Sequence, residues 1–553
     1  MPDVFRPSTE AAQPAILKHA YEHLFKWDPS RATAQLDDTT MQYLTGLAIF
    51  ALIVITILYD RSRKLRQHPP GPRGLPIIGN FLDIPAKWEW QTYRKWSQDY
   101  DSKIISFKVF SKRYIVVNSW KTARDLLEKR ASIYSDRYDS VANNPTSSVG
   151  WDRNMGFHQY GDKWREYKRV FHQYFHQGAV PRYRATSLKH LQDLLYLLLT
   201  QPDGFLVHVR AFGAAMILDV TYGVESSWTH GTYSQVTEEA VHSLIVSANA
   251  GSYVVDYLPI LRYLPSWAPG ARFKRDAAQW NKAVAAMFEQ PFNYVKQHKA
   301  DGTLNRSSIT SSLLENLDPT IDNSKKEAVI RGVAGNAHIG GADTITSALL
   351  WFCLAMVMHP DIQQKAYKEI DRVVGSHRLP DHSDKDELPY ITAIMMESLS
   401  HSSGSVGIQH RLVVDDEYEN YHIPAGSIVI PNAWAILHDE DTYHRPETFN
   451  PSRYILANGN LNPDVPDPMD VAFGFGRRRC PGRHFAVDQI WLIIAQVLAV
   501  FNIEKAIDAS GNIIEPTEEF TSGLASTPAP FKACFVPRSD RARALIQTPS
   551  ILT

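Results

Sequence analysis

Residues 41–59, MQYLTGLAIFALIVITILY, run without one charged side chain. At about 1.5 Å rise per residue, a helix of that length nearly crosses a ~30 Å hydrocarbon layer. A buried core helix is the alternative reading. The flanks favour a membrane anchor. Arg61, Arg63, Lys64, Arg66 and Arg73 follow the run, whereas the twenty residues before it hold only Lys26 and Arg31. That asymmetry places everything after residue 60 in the cytosol. A cleaved signal peptide fits less well, because the run is long and starts late. The predicted organisation is an N-terminal, lumenal extension over 1–40, an anchor helix over 41–59, a basic flank and proline-rich hinge over 60–79, and one large domain over 80–553.

The hinge contains PPGPRGLPIIG, with prolines at 69, 70, 72 and 76. Proline fixes φ and removes an amide donor, so this is a stiff non-helical spacer. The remaining chain is long enough to bury a large core and a bulky apolar cofactor within it. Net charge is −1 over 553 residues, which excludes a global pull toward nucleic acid. The cysteines are Cys353, Cys480 and Cys534. So few in so long a chain argue for a reducing compartment rather than a disulfide framework.

Patterning predicts a mainly α chain with small β-sheets. Residues 103–119 alternate as a hairpin. Residues 162–175 have helical spacing. Residues 348–374 read as a helix end, a His-Pro break and a second helix. Residues 421–437 read as strand, turn and strand. The cluster HDEDTYH over 438–444 reads as a solvated loop.

The stretch FGFGRRRCPG, residues 473–482, surrounds one thiol with glycine, arginine and proline. A metal-binding thiol must be a thiolate, which positive charge and backbone N–H groups stabilise. Gly474, Gly476 and Gly482 allow positive φ and close backbone approach. Arg477, Arg478 and Arg479 carry forked donors suited to carboxylates. An apolar helix over 483–501 places Cys480 near a helix N-terminus. Together these suggest haem with an axial thiolate; a buried structural cysteine beside a basic turn is the alternative.

The stretch resembles the haem loop of the cytochrome P450 family, F-x-x-G-x-R-x-C-x-G, with Phe473, Gly476, Arg478, Cys480 and Gly482 at its fixed positions. The resemblance covers about residues 69–540 and implies the mainly α haem-thiolate fold. Cys480 would be the iron's axial ligand, and the cofactor haem b, iron protoporphyrin IX. GGADTI, residues 340–345, resembles the family's oxygen-activation motif. It implies that Thr344 steadies bound dioxygen and that Asp343 delivers protons. Two helical glycines cost about 1 kcal/mol each, tolerated where backbone must open or admit a ligand. A Thr bonded back to its own helix is the alternative for Thr344. Trp164 and Lys168 resemble the family's W-x-x-x-R pair, with lysine in place of arginine, and imply propionate contacts, as does Arg411. PETFNPSRY and LPYITAIMMESLS supply Arg453 and Glu397, the structural pair of the meander and the E-x-x-R helix. The helix arginine is absent, and Ser400 stands there.

The resemblance implies a monooxygenase of the fungal, secondary-metabolism type, acting on a small terpenoid, polyketide or indole-type molecule. Electrons would come from an NADPH-dependent reductase, NADPH-cytochrome P450 reductase, with cytochrome b5 as a second donor. Arg477, Arg479 and Arg483 form a basic rim for such a partner, or simply solvate the loop. The implied location is the endoplasmic reticulum membrane, single-pass, with no nucleic-acid partner. The alternative is a non-catalytic or weakly haem-retaining relative, because of Ser400.

Overall fold

The computed structural model describes residues 46–47, 68–85, 87–138, 149–229, 231–248, 253–403, 406–521 and 526–546. The predicted anchor and the extension before it lie outside them, apart from Gly46 and Leu47. Residues 69–416 and 423–553 form one unit. Residues 1–68 with 417–422 form a second, of which only Gly46, Leu47, His68 and 417–422 are described.

The large unit is mainly helical. Its longer helices are α1 (Glu89–Asp99), α2 (Asp162–Phe175), α3 (Arg184–Thr200), α4 (Phe205–Tyr222), α5 (Thr232–Ala248), α6 (Arg272–Ala300), α7 (Ser324–Met358), α8 (Pro360–Val373), α9 (Pro389–Ser402) and α10 (Arg483–Val500). α4, α7 and α10 are apolar and long enough to cross a membrane, yet most of their surface is buried within the protein. They are its core. α7 is the axis. Its C-terminal half, Ile345–Val357, is buried on every side. Pro360 then removes an amide donor, and His359 leaves the helical region at φ −126°, ψ 70°. The predicted His-Pro break is therefore real.

One small sheet packs beside this core. Its strands are β1 (Ile104–Val109), β2 (Lys112–Val117), β3 (Asp136–Arg137), β4 (His410–Arg411) and β5 (Ile428–Pro431), in the order β1-β2-β5-β4-β3. All pairings are antiparallel except β2 with β5. The predicted hairpin over 103–119 is β1-β2, with Phe107 stacked on Tyr114 at 4.9 Å. The proline-rich segment lies along β1, where Ser106 donates to the carbonyls of Pro69 (2.6 Å) and Pro70 (2.8 Å). The run 421–437 is strand (Tyr421–Ile423), turn and strand (β5) as expected, but its end differs. After β5 it becomes a short helix, Ala433–Leu437, capped by Asn432, whose side chain accepts from the Ala435 amide. A second sheet pairs β6 (Phe501–Lys505) with β7 (Ala533–Pro537).

The approach of α4 to α7 depends on glycine. A Cβ on Gly213 would lie 2.7 Å from Thr346 Oγ1, and one on Gly341 would lie 2.9 Å from Ile217. Gly341 thus lets two core helices touch. Gly340 is the glycine with open space beside it.

Candidate functional site

The loop before α10 is folded by its own backbone. The Cys480 amide donates to the Phe473 carbonyl at 2.8 Å. Gly476 has φ 53°, and a side chain there would run into the Leu127 carbonyl. Gly474 also has positive φ, at 72°. Gly482 does not: at φ −89° it is an ordinary helix N-cap, with Pro481 one position outside. A Cβ there would make only an ordinary contact with Cys480 Sγ, at 3.9 Å. Burial pushes the Cys480 thiol up, while the amides of Gly482 and Arg483 and the charges of Arg483 and Lys168 pull it down. The half-buried sulfur thus sits at the N-terminus of α10 among groups that favour the thiolate.

Around this loop lies a cluster of guanidinium groups. Arg478 donates from Nε to the Ser135 carbonyl and from Nη2 to the His158 carbonyl, both at 2.7 Å. Its Nη1 is buried with no partner among the described residues. Burial lowers Arg478 to about 10, against the favourable charge of Asp136. Arg137 is buried and donates to the carbonyls of Gly156 (2.9 Å), Ile408 (2.8 Å) and Gln409 (2.9 Å). Burial, and secondarily Arg478, push its pKa well down. Arg411 forms a two-nitrogen pair with Asp136, its Nε at 2.9 Å. Asp136 Oδ1 also accepts from the Tyr160 amide. Arg411 thus pairs directly with Asp136, whose charge also acts on the neighbouring guanidinium groups of Arg137 and Arg478. Such surplus buried charge is costly unless an anion joins it. Neither Arg137 nor Asp136 was legible by motif; they are adjacent in a two-residue strand with no signalling spacing.

Trp164 is buried, with Arg478 over its ring at 4.6 Å. Lys168 donates to the Arg477 carbonyl at 2.6 Å and reaches the Arg479 carbonyl at 3.4 Å. Of the predicted basic rim, Arg477 is exposed and donates to Tyr160 Oη, Arg479 pairs with Asp470, and Arg483 reaches the Cys480 carbonyl.

On α7, Gly340, Asp343 and Thr344 are accessible although the following residues are buried. Their i, i+3, i+4 spacing puts them on one face. Thr344 Oγ1 donates back to the Gly340 carbonyl at 2.7 Å, so its lone pairs remain free to accept. Surrounding protein raises the Asp343 pKa, and the charge of Arg210 opposes that rise. His338 points elsewhere. It is buried against Tyr233, 3.3 Å from its hydroxyl.

Glu397 and Arg453 meet in the core at 3.1 Å. Arg453 also donates to the carbonyls of His444, Arg445, Thr448 and Asn450. Glu397 Oε1 accepts from the Asn450 amide as well, whereas Oε2 is unpartnered among the described residues. In the cluster 438–444, Lys103 pairs with Asp439 and Asp441, and His438 is buried on the Trp434 carbonyl.

The donor set fits a flat iron cofactor with carboxylate arms: a thiol with amides at its sulfur, a guanidinium with an open N–H, and an accessible strip on a buried helix. The known proteins agree. The family model described as Cytochrome P450 matches residues 69–535. "Cytochrome P450 monooxygenase 98" of Postia placenta is 38% identical over 92% of this chain and 98% of its own length. "Tryptamine 4-monooxygenase" of Psilocybe cyanescens is 37% identical over 89% and 98%. "Cytochrome P450 monooxygenase ple1" of Rhodocybe pseudopiperita is 37% identical over 92% and 97%.

Proposed function

This chain belongs to the cytochrome P450 family and is a monooxygenase with fungal relatives, and from that premise we propose that it inserts one oxygen atom of O2 into a small apolar secondary metabolite, with Cys480 as the axial ligand of haem b. The observation that carries the reading is the loop geometry. Cys480 sits at the N-terminus of α10, beside a buried cluster with three guanidinium groups to one carboxylate. A cofactor with two propionates would neutralise the two surplus charges.

When bound, the haem-thiolate supplies dioxygen activation, the second oxygen atom leaving as water. The protein's own groups do the rest. The Gly482 and Arg483 amides favour the anionic form of the sulfur against its burial. Arg478 offers its open Nη1 to a propionate, and Trp164 supports that guanidinium from below. Thr344, donating to Gly340, presents acceptor lone pairs on the accessible face of α7. Asp343, one residue before it, has a raised pKa and can carry a proton inward from the Arg210 side.

The organic substrate is of terpenoid, polyketide or indole type, and the tryptamine-oxidising relative puts indole-ethylamines on the first panel. Two electrons arrive from NADPH-cytochrome P450 reductase, the second optionally from cytochrome b5. The enzyme sits in the endoplasmic reticulum membrane through 41–59, with its large unit in the cytosol. Exposed Ile77, Ile260, Tyr263 and Trp267 give that unit an apolar surface consistent with a bilayer nearby. Extraction of the full chain by carbonate without detergent would contradict the anchor.

The test is spectral first. The reduced protein with carbon monoxide shows the red-shifted Soret band of thiolate ligation, and Cys480→Ala abolishes it. NADPH is then consumed, with reductase present, in step with product from one panel compound. Absence of the band in the wild-type protein, or a band that Cys480→Ala leaves unchanged, refutes the assignment. The non-catalytic alternative predicts a normal band and no substrate-linked turnover. The intact Glu397–Arg453 pair supports the catalytic reading.

A further inference from the structure

We propose that a polar cleft between the start of α3 and the end of α4 is a second binding site, built for a small phosphate monoester. The site is independent of the haem assignment. None of its lining residues belongs to the Cys480 loop, to the guanidinium cluster around Asp136 or to the accessible strip of α7.

The cleft has a volume of about 610 Å³. The chain just before the short helix Ile309–Glu315 forms its third wall. A space of that size takes an organic ligand rather than a bare ion. Its lining carries three cations, Arg182, Lys189 and Arg306, against one carboxylate, Asp219.

That carboxylate is already engaged. Asp219 is buried, and its Oδ2 accepts from His190 Nε2 at 2.9 Å and from Arg306 Nη1 at 3.3 Å. The contact holds Arg306 in the wall. The other two cations have no carboxylate partner among the described residues. Exposed Arg182 donates from Nε to the Ala179 carbonyl at 3.0 Å, which leaves both Nη groups open. Half-buried Lys189 makes no hydrogen bond or ion pair among the described residues. Glu315, whose charge acts on Tyr174 in the cleft, is paired with Lys299 at 3.3 Å.

Two positive charges of the lining are therefore uncompensated. A carboxylate ligand would meet one of them. A phosphate monoester, with about −1.5 to −2 charge near neutrality, meets both. The guanidinium fork and the ammonium suit its oxygens, and charge-assisted bonds of this kind are roughly twice as strong as neutral ones. The exposed Ser307 hydroxyl adds a neutral donor, and half-buried Tyr174 offers a ring to the organic part.

The experiment titrates the full-length protein in detergent by calorimetry. AMP is the soluble probe, adenosine its phosphate-free control, and monomeric dihexanoyl phosphatidic acid the lipid probe. AMP is expected to bind once per chain, and adenosine not at all. Arg182→Gln and Lys189→Gln each weaken AMP by about tenfold, as expected for one charge-assisted hydrogen bond lost, with thermal unfolding unchanged. Added salt weakens the wild type more than either variant. Dihexanoyl phosphatidic acid that binds more tightly than AMP, and loses as much in both variants, supports the phosphate site and assigns it to a lipid headgroup. Binding that adenosine reproduces overturns the proposal, because the base then holds the ligand. AMP binding that both variants retain overturns it too, since the phosphate then sits elsewhere. No saturable binding of either phosphate at millimolar concentration overturns it outright.

Discussion

Arg453 Nη2 lies 3.1 Å from Glu397 Oε1, and the other carboxylate oxygen of Glu397 is buried without a partner among the described residues. The vacant acceptor lies on α9, whose position 400, one turn on, holds Ser400 in place of the family's arginine. The pair survives because Arg453 is over-determined, with four backbone carbonyls and one carboxylate sharing its N–H groups. Removing one partner from a buried pair typically costs about 3–5 kcal/mol, whereas one unmet buried oxygen costs about 1–3 kcal/mol.

Ser400→Arg is therefore expected to stabilise the holoprotein by about 1–3 kcal/mol and to raise haem content. Arg453→Met is expected to produce apoprotein. Haem-to-protein ratios and thermal inactivation of membranes check both. A Ser400→Arg variant with lower haem content than wild type would show that the core has closed around serine.

The two glycines of the haem loop separate by space. At Gly476 a methyl would collide with the Leu127 carbonyl, backbone that cannot swing away. At Gly474 nothing lies within 4 Å, so alanine pays only for its positive φ, about 1–2 kcal/mol. Gly476→Ala is expected to lose the thiolate-type carbonyl spectrum, and Gly474→Ala to keep it. Equal spectra for the two would contradict the steric account.

Landmarks carried by fixed spacing were legible before any coordinates: the Cys480 loop, Asp343 with Thr344, Glu397 and Arg453, the hairpin and the helices of strong period. Where several contacts compete for one residue type, spacing fails. Gly341 and Gly340 are identical letters, yet Ile217 fills the space beside one and not the other. Lys168 carries the charge expected of its motif, but its hydrogen bond to the Arg477 carbonyl is set by the fold of a loop far away in sequence. Arg137 and Asp136 gain their place only when β3 pairs with β4, a contact between positions far apart in sequence. Gly482 looked like a positive-φ residue because two of its loop neighbours are; the start of α10 makes it ordinary.

Thr344 and Asp343 should be separable by what each loss does to the NADPH balance. Without the Thr344 hydroxyl, reducing equivalents still enter but less product forms. Thr344→Ala is thus expected to lower product per NADPH by about tenfold at nearly unchanged NADPH consumption, less than the roughly 10²–10⁴ a placed proton-transfer group can supply. Asp343→Asn cannot carry a proton and is expected to slow consumption itself. Stoichiometry of NADPH, product and peroxide on one substrate decides, and unchanged coupling in Thr344→Ala would remove it from the relay.

Acid stability tests the buried histidines. His338 is held neutral by burial, with its pKa lowered from 6.5 to about 4. Below pH 6.5 the unfolded chain takes up a proton that the fold refuses, so stability falls as pH drops from 6.5 toward 4 and is unaffected above that window. The shift corresponds to about 3 kcal/mol over the window. His158, also lowered to about 4, acts in the same direction. His338→Phe keeps the ring against Tyr233, whose hydroxyl still donates to the Met287 carbonyl at 3.1 Å. That variant is expected to match wild type at pH 7 and to outlast it at pH 5 in urea or thermal unfolding. Parallel pH profiles for the two proteins would mean that His338 accepts its proton without unfolding.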